Sequence, residues 1–422
     1  MSQTTEVSLL RDKVFMYFLL ARTVAVLGSA ITSVALPLLV FQVTSSPLIT
    51  SLVTAVQVLP YLVFGLVAGA MADRLPRRRL MLACQAVSAA ALLTVPLASW
   101  LGGLTAPHAV AVAAVVATSF VWFDAASFGA LPALVGRARI VPANSMVWTV
   151  TTLVGLGGPV VGGVLVAAVG AAPALSFDAA SYVVAGALLA LIGRSFDAPG
   201  ARAEGQPRER LRTGIKEGLQ FVWQHPVVRS LTLLGVGNSI TGGAVSALLV
   251  VFAVRDLGLS EDGGGVGLVV GIVAAGAFLA AVALPRLTSR VPIGWITIAT
   301  LTTSPLALLL TAAAPSLPWA TVPLLLWSLT STLTILNGIN ARQIVTPLEL
   351  QARVNTTARM LAWGGTPLGA LAGGLLAEAA SARFAYAVMS TAVLVSAVLA
   401  WRSPLRHRAF ATTNHPASEP AG

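Results

Sequence analysis

Charged residues are scarce in this chain of 422 residues, since Asp, Glu, Lys and Arg together make up only 10% of it. A soluble domain carries about 25% charged residues, because its surface must be wetted by water. Apolar residues make up 56% of the chain, which also excludes a disordered or collagen-like chain. The single cysteine, Cys84, excludes an intramolecular disulfide. The composition therefore indicates a membrane protein that crosses the bilayer several times.

Lysine is almost absent, with Lys13 and Lys216 the only two, and yet the formal net charge is +11. The basic residues follow the membrane topology derived below, which argues against nucleic acid as a partner. None of the four histidines pairs with a cysteine or carboxylate at metal-ligand spacing, and no phosphate-binding loop motif appears. The sequence thus predicts no metal, no cofactor and no enzyme activity.

Twelve stretches are long and apolar enough to cross the hydrocarbon core as helices of about 20 residues. The predicted spans are Val14–Phe41, Pro47–Met71, Arg79–Leu101, Pro107–Leu131, Asn144–Val169, Pro173–Gly193, Ser230–Val254, Gly264–Leu284, Pro292–Thr311, Leu317–Gly338, Arg359–Glu378 and Phe384–Trp401. If successive spans cross the membrane in opposite directions, Arg255 and Arg383 fall on one side of it. Arg22 lies within the first span, and all other basic residues fall on the other side, with both termini. By the positive-inside rule that side is the cytoplasm.

The longest polar stretch divides the chain into two halves of six spans. The sequence predicts a bundle over 1–194, a cytoplasmic linker over 195–228, a second bundle over 229–404 and a disordered tail over 405–422. Within the linker, apolar positions between Leu211 and Trp223 share one helical face, which predicts an amphipathic helix on the membrane surface; an ordinary loop helix is the alternative. The glycine pairs Gly162–Gly163 and Gly373–Gly374 lie 211 residues apart, and such internal repetition is typical of transporters.

The short loop between spans two and three reads GAMADRLPRRR and begins at Gly69. It resembles motif A of the major facilitator superfamily, which lies in the same loop. Gly69, Asp73, Arg74, Arg77 and Arg78 occupy motif positions. The resemblance implies that the carboxylate of Asp73 meets the start of span eleven and closes the cytoplasmic side. The arginines alternatively serve only to fix the topology.

Span five contains GPVVGG, in which Gly158, Pro159, Gly162 and Gly163 match the core of motif C, a mark of proton-coupled antiporters in the superfamily. Pro159 breaks one helix hydrogen bond, and the glycines allow close helix approach. Simple packing is the alternative to a hinge. Further stretches along nearly the whole chain, such as WGGTPLGALAGGLLAE in span eleven, resemble the bacterial drug and siderophore exporters related to enterobactin and macrolide efflux proteins.

Three charged residues lie inside predicted spans, away from the terminal positions, and charged residues placed there are costly and indicate function. Arg22 in span one and Asp124 in span four both lie roughly 10–12 Å inside the cytoplasmic face, at 1.5 Å per residue. Spans one and four line the central cavity in the superfamily, so Asp124 is predicted to carry a proton and Arg22 to pair with it. Separate solvation of the two residues is the alternative. Asp178 lies near the outer end of span six, and a structural role near the interface is predicted for it.

The resemblance implies an all-α membrane protein with twelve transmembrane helices in two pseudo-symmetric bundles around a central cavity. It implies a monomeric proton antiporter of the bacterial inner membrane that exports a small amphiphilic molecule. A lysolipid flippase or proton symporter of the same fold, or a membrane scaffold or sensor, remains open. The candidate cavity residues are hydroxyl, amide and aromatic side chains: Gln57, Tyr61, Trp122, Asn238, Thr241, Trp327, Ser331 and Asn337.

Overall fold

Among the described residues of the computed structural model, twelve helices are long and apolar enough to span a membrane, which confirms the predicted count. The structure describes residues 9–72, 75–136, 139–196, 211–260, 264–346 and 351–406, and within them all regular structure is helical. The core of a bilayer contains no water that could bond to backbone N–H and C=O groups. A helix satisfies these groups within a single segment, which is why a membrane-spanning chain is helical.

The first bundle comprises six helices, whose ends lie within about one turn of the predicted spans. They are α1 (Lys13–Thr44), α2 (Pro47–Ala72), α3 (Arg77–Trp100), α4 (Ala106–Val135), α5 (Ile140–Val169) and α6 (Ala171–Ala190). Helix α1 lies at the centre of this bundle, where it packs against α5 and α6. The side chain of Asp12 caps its first turn through the backbone N–H of Val14, which satisfies one of the free donors of a helix start.

The second bundle holds the other six spans. Its helices are α8 (Pro226–Val251), α9 (Gly264–Thr288), α10 (Ile293–Ala313), α11 (Leu317–Val345), α12 (Gln351–Trp363), α13 (Gly365–Ala379) and α14 (Ala382–Arg402). A π-helical turn over Phe252–Asp256 extends α8. Span eleven, predicted as one helix, consists of α12 and α13, which meet at Gly364. Pro367 lacks an N–H for the carbonyl of Trp363, so the helix is weakened at that turn.

The linker contributes α7 (Leu211–Gln224), which packs against α12 and α8. Val222 is buried with Val354 and Ala358 in a small apolar cluster, whereas Trp223 is half exposed. Part of the apolar face of α7 is therefore covered by the second bundle. The linker residues 197–210 and most of the tail, from 407 on, lie outside the described residues.

The two bundles meet along α2 with α13 and α5 with α9. We call the end of the molecule that carries α7 and the start of α1 the termini side, and the other end the far side. Two close approaches across the bundles lie in the far-side halves of the helices, at Gly163 against Gly267 and at Gly374 against Ser51. Toward the middle, the rings of Tyr61 and Trp363 lie 5.7 Å apart. The described contacts thus close the far side.

Candidate functional site

An ion pair joins α1 to α4 inside the first bundle. Arg22 Nη1 and Nη2 lie 3.1 Å and 3.2 Å from Asp124 Oδ1. Arg22 Nη1 also donates to Ser127 Oγ at 2.9 Å, and the guanidinium lies over the ring of Phe123. The two residues stand nine and eleven residues from the termini-side ends of their helices, about 14 Å and 16 Å at 1.5 Å per residue. The contact expected from equal depth is present.

Solvent reaches the two partners of this pair unequally. The side chain of Asp124 is 35% exposed, and that of Arg22 is 15% exposed. Asp124 is therefore the more accessible partner, whereas Arg22 is largely covered by its neighbours and lies in the wall of a cavity within the first bundle. The hydrogen bonds between the two side chains are charge-assisted, so they tie α1 to α4 more strongly than bonds between neutral groups would.

Behind the ion pair lies a cavity of about 290 Å³ within the first bundle, to which α1, α3, α4, α5 and α6 all contribute. Arg22 lies in its wall with the sole cysteine, Cys84, and with Pro159 of the GPVVGG segment. A second cavity of about 230 Å³ shares Ser29, Ser33, Phe120 and Tyr182 with the first, so the two adjoin. Sequence reasoning placed the binding space between the bundles and missed these cavities.

Asp178 lies in the wall of the second cavity and is fully buried against α1. Thr32 donates to one carboxylate oxygen, and Ser181 Oγ donates to the other at 3.1 Å. Gly28 permits this close approach of α6, because a Cβ there would collide with Asp178 and Ser181. The predicted depth agrees with the structure, since Asp178 stands seven residues from the far-side start of α6. Its burial against α1 was not predicted.

In the described part of motif A, Arg77 and Arg78 pack against neighbouring helices. Arg78 Nη2 donates to the carbonyl of Ala190 at 2.6 Å and so satisfies the last turn of α6. The guanidinium of Arg77 covers Gly129 of α4, where a Cβ would come within 2.6 Å of its Nε. Gly69 lies in α2. Asp73 and Arg74 lie outside the described residues, so the switch role of Asp73 stays a prediction.

The motif C glycines are contact points on two faces of α5. A Cβ at Gly158 would lie 2.6 Å from that of Ala30, and one at Gly162 would lie 2.9 Å from the Cα of Ile31, both on α1. Gly163 instead meets Gly267 of the second bundle. The repeat at Gly373–Gly374 behaves in the same way, since Gly373 packs on α8 and Gly374 on α2. In each pair, therefore, the first glycine makes a contact within its own bundle and the second makes a contact with the other bundle.

Polar contacts missed by the sequence analysis also close the far side. Glu378 of α13 accepts from Ser46 Oγ at 3.0 Å and from the N–H of Leu48 at 3.3 Å, at the start of α2. Arg255 donates to the carbonyl of Ser45 and lies over the ring of Phe41. Both contacts join the second bundle to the loop between α1 and α2. An acidic residue at the last position of a predicted span was the only sequence signal.

The candidate cavity residues are divided between the bundles. Gln57 lies in the wall of the second cavity, and Trp122 is partly buried against the core of the first bundle. The candidates of the second bundle have partners inside it. Asn238 accepts from Ser331, Thr241 donates to the carbonyl of Met389, and Asn337 donates to Thr297 and to the carbonyl of Ile293, while Trp327 is buried. Their role in binding stays a prediction.

Residues 4–420 match the family model described as transmembrane secretion effector. The chain belongs to this family of major facilitator superfamily transporters. A multidrug efflux pump, Tap, of Mycolicibacterium fortuitum is 29% identical over 394 residues, which cover 90% of this chain and 93% of Tap. Tap of Mycobacterium tuberculosis is 28% identical, with 92% of each chain covered.

A solved bacterial homologue of the human lysosomal transporter Spinster, in an inward-facing conformation, has the same fold. The TM-score is 0.74, at 15% identity, over 94% of this chain and 97% of the homologue. The family and these relatives are transporters and not enzymes. The resemblance to efflux proteins of the major facilitator superfamily is therefore confirmed, and this family member is a multi-pass bacterial membrane protein with a transport role.

Proposed function

We propose that this transporter exports a small amphiphilic molecule, such as a drug, antibiotic or siderophore, by proton antiport with alternating access. The observation that carries the proposal is the ion pair of Arg22 and Asp124, whose arginine lies in the wall of the first cavity. The match to motif C and the efflux pumps among the relatives support the direction of transport. A monomer contains every residue that this mechanism needs.

Coupling arises because the proton acts on a bond between two helices. The ionised carboxylate of Asp124 holds the Arg22 guanidinium and so ties α1 to α4. A proton on Asp124 removes the charge-assisted bonds and weakens the tie. A ligand or proton shifts a conformational equilibrium only by its unequal affinity for the two states. A proton that prefers the state with the broken pair therefore drives the bundles toward the other arrangement.

The experiment that tests the proposed function is solute uptake into inverted membrane vesicles. We expect accumulation of a fluorescent cationic or neutral dye only when the vesicle interior is acidified, because export from the cell is uptake here. Collapse of the pH gradient with nigericin should release the dye, and vesicles without the protein are the control. Uptake that continues without a gradient would instead favour a flippase or a facilitator, and an absence of any solute movement would favour a scaffold.

The topology proposal is that the termini side faces the cytoplasm, as the positive-inside rule predicts. In a Cys84→Ser background, Gln224→Cys at the end of α7 should resist an impermeant maleimide added to intact cells. Gly103→Cys in the loop between α3 and α4 is the matched control on the far side and should react, since nothing lies within 4 Å of a Cβ there. The reverse labelling pattern would refute the proposed orientation.

A further inference from the structure

Two hydrogen-bond donors in the first cavity are not used by the fold. Arg22 Nε and Gln85 Nε2 are buried and have no hydrogen-bond partner in the described part of the chain. Gln85 is 3% exposed, and both residues lie in the wall of the cavity of about 290 Å³. Buried donors without partners are rare and cost about 1–3 kcal/mol each. Two of them in one cavity indicate a bound group that accepts hydrogen bonds.

The remaining walls of this cavity are suited to a flat ring system. Phe120 and Phe123 of α4 and Tyr182 of α6 contribute aromatic side chains, and Pro159 of α5 adds a rigid apolar surface. Small-molecule sites are mostly apolar cavities of about 300–1,000 Å³ with a few polar groups that fix orientation. Together with the adjoining cavity of about 230 Å³, the space falls within that range.

The charges around the two cavities decide between an anion and a neutral molecule. The guanidinium of Arg22 is already balanced by Asp124. Asp178, in the wall of the adjoining cavity, has hydroxyl partners and no cationic partner among the described residues. The site therefore has no excess positive charge, and an anion would be repelled by two carboxylates. A neutral acceptor such as a carbonyl oxygen matches Arg22 Nε and Gln85 Nε2 without such repulsion.

We infer that the cavity within the first bundle is the substrate site, and that it binds neutral, planar aromatic molecules through a carbonyl-type acceptor held by Arg22 Nε and Gln85 Nε2. This inference rests on the proposed export function and names its substrate class. The inference also connects binding of the substrate with protonation of Asp124, because Arg22 takes part in both. Arg22 lies in the cavity wall and its Nη atoms are held by Asp124, so protonation of Asp124 frees the guanidinium and disturbs the donor that holds the substrate.

The test measures binding of xanthone, a neutral planar ketone, to the purified full-length protein by equilibrium dialysis. Xanthene, which has a methylene in place of the carbonyl, is the matched probe, and 9-oxoxanthene-2-carboxylate is the anionic one. We expect xanthone to bind and both others to bind at least about fivefold more weakly, the value of one lost hydrogen bond. Equal binding of xanthone and xanthene, or tighter binding of the anion, would overturn the inference.

Variants and the native cysteine locate the site. Gln85→Leu should weaken xanthone binding about fivefold, and Gln85→Met provides the same loss if the leucine variant misfolds. Thr311→Val, a buried hydroxyl bonded only within α10, is the control and should leave binding unchanged. Xanthone should also slow alkylation of Cys84, which lies in the same wall. Unchanged binding in folded Gln85 variants would contradict the assignment. No proton gradient is present, so the result is independent of whether antiport itself is confirmed.

Discussion

Asp124→Asn should abolish proton-driven export while downhill exchange of solute continues. The amide has the shape of the carboxyl group but cannot release or take up a proton, so the site remains in a state that mimics the protonated form. It also loses the charge-assisted bonds to Arg22 that tie α1 to α4. The measurement compares dye uptake into acid-loaded inverted vesicles with exchange of labelled solute at equal pH on both sides.

The variant Arg22→Ala tests the other partner of the ion pair in the same assay. Without the guanidinium, the Asp124 carboxylate loses its charge-assisted hydrogen bonds and no longer ties α1 to α4. Arg22→Ala should therefore weaken the coupling of export to the pH gradient, and the double variant should behave as Asp124→Asn alone. Unchanged proton-driven export by a well-expressed Asp124→Asn protein would move the proton site elsewhere. Asp178, buried one cavity away, would then be the next candidate.

Gly163→Val should trap the transporter with its far side open and eliminate export. In the present structure a Cβ at Gly163 would collide with the backbone of Gly267, and one at Gly267 would lie 2.9 Å from the carbonyl carbon of Gly163. Both obstacles are backbone atoms, which cannot rotate away as a flexible side chain can. The two branches of valine add to that overlap, so the far-side contact between α5 and α9 cannot form.

Accessibility from the far side distinguishes a trapped protein from an unfolded one. In a Cys84→Ser background, a cysteine at Ser33, in the wall of both cavities, should react with an impermeant reagent in the Gly163→Val protein far faster than in the parent. Gly157→Val is the matched control on the same helix, because nothing lies within 4 Å of a Cβ there, and it should transport normally. Equal labelling rates in parent and Gly163→Val would show that the glycine contact does not control closure.

The sequence predicted those parts of the site that depend on position along a helix. Equal depth placed Arg22 beside Asp124, because helix rise is constant and the termini-side ends of both spans lie close to basic residues in the sequence. The glycine repeat marked Gly163 and Gly374 as equivalent, and the structure shows both at contacts between the bundles. Gln85 and Glu378 were not identified. A lone amide or a carboxylate at a helix end has no spacing pattern, and only its neighbours reveal what it does.

The sequence by itself determined the twelve spans, their division into two halves and the family, because hydropathy, length and motif letters are properties of the chain read in order. Only the tertiary structure decided which side of each helix faces lipid, which faces the other bundle and which faces a cavity. Soluble helices reveal their buried side through alternation of polar and apolar residues. In these spans nearly every position is apolar, so the inward turn of Asp178 and the two free donors in the first cavity depend on which neighbouring helices pack against them.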